Sequence, residues 1–221
     1  MKSAMRYLLS SLLAVGLLLA AAAHGQEKEK DKKDKDKEKD PTKETTTEYY
    51  PLKEGTTWTY KAGDKEFTVT VAGTEKRGEP PVSCSRLETR NSKKELIASE
   101  YVAVKEDGVY RYGFEKSDAK PPLRFLKLPI KSGEKKWSID TKVGGKEVKG
   151  SFRLNEEKDP VKVPAGEYNK VVTVSSEGLQ IDDQKVPITY YFAPKVGVVK
   201  QTVEVGGTKV TLELVKVEEK K

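Results

Sequence analysis

The sequence predicts an all-β domain: a large curved antiparallel meander, closed or half open around one core, with a two-sheet sandwich as the alternative. Three observations carry this. After Glu48 no window shows an apolar period of 3.6, whereas period two recurs, as in Phe67-Thr-Val69-Thr-Val71, Tyr110-Arg-Tyr112-Gly-Phe114 and Trp137-Ser-Ile139-Asp-Thr141-Lys-Val143. The alternating runs are rich in Val, Thr, Tyr and Ile and are broken by Gly, Pro and Asp. The breaks are short and no helix alternates with the strands. Neighbouring strands should therefore be antiparallel, and dinucleotide-binding or barrel-enzyme frameworks are excluded.

The chain divides into three parts. Residues 1–25 read as an export signal: Lys2 and Arg6 supply positive charge, Leu8 to Leu19 an apolar stretch, and Ala20 to Gly25 small residues. Cleavage is expected between Gly25 and Gln26, with the bond after Ala23 the close alternative. No Cys follows the apolar stretch, so no lipid-modified cysteine is expected, and no later segment is apolar enough for a membrane span. Residues 26–48 form a charged linker with eight Lys and nine acidic residues between Glu27 and Glu48. Without apolar residues it has nothing to offset the entropy of ordering, so it should be a disordered spacer. Residues 49–221 should form the single β domain.

Within that domain, strands are expected near 57–61, 66–72, 82–90, 95–105, 109–115, 123–128, 136–143, 146–154, 169–177, 186–193, 196–205 and 208–217. Gly144-Gly145 and Gly206-Gly207 suit two-residue type I′ or II′ hairpin loops. Counting back from the second loop sets Val205 against Thr208, Glu204 against Lys209, Val203 against Val210 and Lys200 against Glu213. Opposite charges then fall on one side and aliphatic residues on the other, as cross-strand pairing favours. The first loop sets Trp137 against Phe152 and Ile139 against Gly150, leaving room for the indole over the glycine.

Composition removes several chemistries. The only histidine is His24, beside the expected cut, and the only cysteine is Cys84. Ser-His-Asp, Cys-His and multi-Cys or His-ligated zinc sites are therefore unavailable, and no cofactor is expected. Cys84 should be a small buried apolar residue. The acidic pairs Glu106-Asp107 and Asp182-Asp183 read as turns. The domain carries a net charge of +6, from which the densest basic stretch is Lys120–Trp137. Lys120, Arg124, Lys127, Lys131, Lys135 and Lys136 are the candidate contacts for an anionic envelope component. No nucleic-acid motif accompanies them, so no nucleic-acid partner is expected.

Three segments carry a resemblance. Tyr50-Pro51-Leu52 with Gly55, Trp58 and Tyr60 resembles the opening of a group of uncharacterised bacterial exported all-β proteins. Val163-Pro164-Ala165-Gly166 resembles their VPAG turn, and Tyr190-Tyr191-Phe192-Ala193-Pro194-Lys195-Val196-Gly197 their closing strand pair. The group is distantly similar to Lol-type lipoprotein carriers, whose curved half-barrel holds acyl chains. The resemblance implies an exported periplasmic or extracellular β protein without catalytic residues. The leading expectation is thus a non-enzymatic binding or structural domain of the cell envelope. A carrier of lipid or another apolar ligand is the alternative, and a carboxylate-based hydrolase a distant third. An open interior would favour the carrier and a filled one the module.

Overall fold

The computed structural model describes residues 46–131 and 134–220. The expected signal, its cut at Gly25–Gln26 and the linker up to residue 45 lie outside the described residues. Fifteen strands follow in order: β1 Thr57–Ala62, β2 Lys65–Arg77, β3 Val82–Asn91, β4 Leu96–Lys105, β5 Gly108–Phe114, β6 Ser117–Lys127, β7 Lys136–Val143, β8 Lys146–Glu156, β9 Val161–Val163, β10 Gly166–Tyr168, β11 Val172–Ile181, β12 Gln184–Lys185, β13 Ile188–Ala193, β14 Gly197–Val205 and β15 Thr208–Glu218. Among the described residues there is no helix.

Twelve of these strands close into an antiparallel barrel. Each long strand pairs with the next long strand in the chain, β8 pairs with β11 and β11 with β13, and β15 returns to pair with β1. The expected meander is therefore present in its closed form, and the sandwich is not. The small β9–β10 hairpin, turned by Pro164-Ala165, sits outside the ladder. Its Ala165 N–H donates to the Leu214 carbonyl of β15 at 2.9 Å, and Val161, Val163 and Tyr168 pack on the core.

Both Gly-Gly hairpins adopt the predicted register. Val205 pairs with Thr208, Glu204 with Lys209, Val203 with Val210 and Lys200 with Glu213. Trp137 pairs with Phe152 and Ile139 with Gly150. All four loop glycines have positive φ, at 57° and 81° in the first loop and 58° and 76° in the second, which selects type I′. One detail differs. The space a Cβ would take at Gly150 is met by the Leu179 backbone, 2.7 Å away, where β11 bulges against β8. The Trp137 indole instead turns to β6, where Nε1 donates to the Arg124 carbonyl at 2.9 Å.

Several strand limits also differ from expectation: β2 runs on to Arg77, and the short β9, β10 and β12 were not expected. Strand β6 starts at Ser117 and runs through Pro121 and Pro122. Its first residues fold back on β5, with Ser117 opposite Phe114, through a tight Glu115-Lys116 turn. Strand β11 begins at Val172, because Tyr168 belongs to the β9–β10 hairpin.

Inside the barrel, aromatic rings from distant parts of the wall meet. Phe125 of β6 lies 6.4 Å from Phe192 and 6.1 Å from Tyr190, both on β13, four strands away around the barrel. Phe152 of β8 joins them, 6.4 Å from Tyr190 and 5.9 Å from Trp137. Tyr50, ahead of β1, inserts its ring between Phe125 at 5.4 Å and Phe192 at 6.1 Å. The two Tyr50 pairs and Phe152–Tyr190 are edge-to-face, and such pairs add about 0.5–1.5 kcal/mol each beyond the area they bury.

Candidate functional site

Two places in the barrel depart from aliphatic packing. The first is inside the wall. Alternation points Glu100 of β4 and Arg111 of β5 inward, where both are buried. Arg111 Nε and Nη2 meet Glu100 Oε2 at 2.7 and 2.6 Å, and the guanidinium lies 5.1 Å from the Phe125 ring centre. Burial pushes the Glu100 carboxyl up against the pull of Arg111. Burial also opposes the charge on Arg111, but Glu100 and the nearby Tyr190 and Tyr50 hydroxyls hold its pKa above the usual arginine value. Arg111 is therefore a fixed cation in an apolar setting. Its Nη1 and the Nε2 of buried Gln201 on β14 have no hydrogen-bond partner among the described residues.

The second place is a seam in the wall. Strands β6 and β7 pair only at Ala119–Val143 and Lys120–Lys142. Pro121 and Pro122 come next, and a proline has no N–H to give to a ladder. Past them the two strands are joined by side chains. Besides the Trp137 indole on the Arg124 carbonyl, the Thr141 hydroxyl donates to the Pro121 carbonyl. On the outer surface the seam opens as a cleft of about 350 Å³, lined among others by Asp107, Tyr110, Pro122, Arg124, Ser138 and Asp140. Asp107 accepts from the Tyr110 hydroxyl at 2.5 Å and from Arg124 Nη1 at 2.8 Å. Arg124 lies 5.9 Å from the ring centres of both Tyr110 and Trp137.

The six basic residues picked out by sequence all flank this seam, but most of their charge is already matched. Arg124 pairs with Asp107, Lys127 with Glu134 at 3.6 Å, Lys135 with Glu156 at 3.5 Å and Lys136 with Glu177 at 2.6 Å. Lys120 and Lys131 have no carboxylate partner among the described residues. Lys120 stands opposite Lys142, which pairs with Glu147.

The acidic pairs occupy turns as expected, although Asp107 also reaches back into the cleft. Cys84 is buried in a small second cluster on the outer face with Tyr101, Ala103 and Tyr112. Burial pushes its thiol up to about 12, so it is an inert packing residue. Among the described residues no group of three or more His, Cys, Asp or Glu is placed to hold a metal.

This fold has been seen before. The chain is similar to a candidate lipoprotein from Parabacteroides distasonis, with a TM-score of 0.50, 12% identity, and coverage of 79% of this chain and 100% of that one. It is also similar to a candidate exported protein with a YmcC-like fold from Bacteroides fragilis, with a TM-score of 0.47 and 13% identity over the same shares. At such identity the likeness is one of fold alone. No protein-family model and no curated protein matches the chain.

Proposed function

We propose that this protein is an exported, non-enzymatic β-barrel module that engages its partner from outside, at the seam between β6 and β7. The aromatic cluster that spans the interior is the observation that carries this. Aromatic side chains from β6, β8 and β13 meet across the barrel, leaving the space where a carrier would seat an acyl chain occupied by the protein's own rings. A partner is then met on the outer surface, where the seam breaks an otherwise continuous ladder. Export is supported by the signal-like residues 1–25 and by the exported or lipoprotein character named for the two proteins of similar fold. A non-catalytic role is supported by the lack of histidine after His24, by a Cys84 thiol too basic to ionise, and by an Asp107 already committed to Arg124 and Tyr110.

A fluorescent fatty-acid displacement assay, run beside a broad hydrolase screen, tests the reading. The expected result is no saturable uptake and no turnover. Saturable binding at one ligand per chain would instead establish the carrier. Sedimentation with anionic vesicles at low and high salt measures the contribution of the basic residues. With four of the six paired to carboxylates, the expected attraction is weak and lost at physiological ionic strength.

A further inference from the structure

The seam has a chemistry that a lipid headgroup or a glycan does not match. In a two-residue hairpin the residues flanking the loop form a hydrogen-bonded pair, and such pairs alternate along the ladder. In the β7–β8 hairpin, Val143 and Lys146 flank the loop. Val143, Thr141, Ile139 and Trp137 therefore turn their backbone groups toward β8. Lys142, Asp140, Ser138 and Lys136 turn theirs toward β6. Lys142 finds Lys120 there. Among the described residues Asp140, Ser138 and Lys136 have no ladder partner, because Pro121 and Pro122 end the pairing.

Across the gap, the carbonyls of Arg124 and Pro121 receive side-chain donors, the Trp137 indole and the Thr141 hydroxyl. The seam is thus a stretch of strand edge without a ladder partner among the described residues, facing carbonyls that accept from side chains. Edge groups of this kind repeat every second residue, about 6.6 Å along the strand. The complement with donors and acceptors at that spacing is another extended backbone.

We infer that the β6–β7 seam accepts an extended polypeptide segment of a partner as a short added strand along Lys136–Asp140. This rests on the outward-facing binding module proposed above and names the partner class of that site. Insertion exchanges two side-chain hydrogen bonds for backbone ones, a nearly even trade. Trp137, Phe125 and Thr141 fill the inner side of the seam, so inward positions of the segment must be small, Gly or Ala. Outward positions lie over Tyr110, Arg124 and Asp140 in the cleft.

The probe is a synthetic library of capped hexapeptides with Gly or Ala at alternate positions and mixed residues between, screened against the purified chain by fluorescence anisotropy. Ser138→Pro removes a seam-facing N–H and spares the β8 ladder. It should leave the melting temperature within a few degrees of the parent and cut binding of the best peptides at least tenfold. Thr141→Val removes the hydroxyl that closes the seam at nearly constant volume and should strengthen binding several-fold. Failure of every library member to bind, or equal binding to the parent and Ser138→Pro, overturns the inference. If Ser138→Pro fails to fold, backbone N-methylation of the best peptide at alternate positions decides instead, and binding unaffected at every position is the refuting result. Saturable fatty-acid uptake refutes the module reading whatever the peptides do. Absence of both peptide and fatty-acid binding refutes strand addition alone.

Discussion

The Glu100–Arg111 pair allows a double-mutant cycle whose outcome can be worked out beforehand. Both side chains are nine-tenths buried, and two guanidinium nitrogens share one carboxylate oxygen at 2.6 and 2.7 Å. Glu100→Gln leaves the arginine charge in an apolar setting beside Phe125. Breaking a buried pair from one side costs about 3–5 kcal/mol, a large part of the 5–15 kcal/mol that holds a domain together. At about 2–4 °C per kcal/mol for a domain of this length, the melting temperature should fall by about 6–20 °C. Replacing both, as Glu100→Leu with Arg111→Met, removes the charges and also the Nη1 donor that no described residue satisfies. An unsatisfied buried donor costs about 1–3 kcal/mol, so the double variant should match or exceed the parent in stability. Urea unfolding at pH 7 with linear extrapolation reads all four corners of the cycle. A Glu100→Gln cost below about 1 kcal/mol, or a double variant as unstable as the sum of its singles, would refute a desolvated, mutually dependent pair.

Other expectations follow from the same geometry. Gly150→Ala sets a Cβ 2.7 Å from Leu179 Cα at a φ of 152°, and should destabilise by more than about 1 kcal/mol in the same assay. Phe125→Ala opens the centre of the aromatic cluster and should cost about 3–5 kcal/mol in the same measurement. Hydrogen bonds from Arg153 and Lys136 lower the Glu177 carboxyl to about 2. Its contribution is therefore present above the ordinary carboxylate value and lost as pH falls toward 2. The stability gap between parent and Glu177→Gln should close over that range and narrow with added salt at pH 7. The Cys84 thiol should resist thiol reagents at pH 8 and react stoichiometrically once urea unfolds the chain.

Much of the wall was legible because period two and turn residues speak about the same atoms. The two Gly-Gly loops fixed register outright, since a slip of one residue would have turned Val203 and Val210 outward. What escaped had weaker local signals. The β5–β6 turn is Glu115-Lys116, with φ at Glu115 of 52°, and no glycine or asparagine marks it. The strand expected from residue 123 in fact runs back through Pro121 and Pro122, where it loses the pairing with β7, and β5 holds it on either side, at Leu123 and at Asp118. Nothing in the sequence singled out Glu100 and Arg111 as an inward pair, because both faces of β4 are largely apolar and charge usually marks the wet one. Their same-face neighbours Ala98, Val102 and Val109 were the available clue. The basic stretch was located correctly on one surface, but two of its four carboxylate partners come from distant strands, Glu156 on β8 and Glu177 on β11, which linear spacing cannot bring together.

The return of β15 to β1 has a consequence for how the chain reaches this state. Every other joint in the wall links strands that follow one another closely, and most can zip from a short loop. The closing joint brings Thr57 beside Glu218. Its nearest pair, Lys61 with Glu213, closes a loop about fifty times longer than Val205 with Thr208 does, between five and six doublings at about 0.6 kcal/mol each, or about 3.4 kcal/mol of added closure entropy. A circular permutant opened at Gly206-Gly207, with a linker joining β15 to β1, converts that remote joint into a hairpin and makes β14–β15 the new remote one. Since the ring of strands is unchanged, such a chain should reach the same barrel by a different order of events. The sheet itself has no first strand; only the connectivity assigns one.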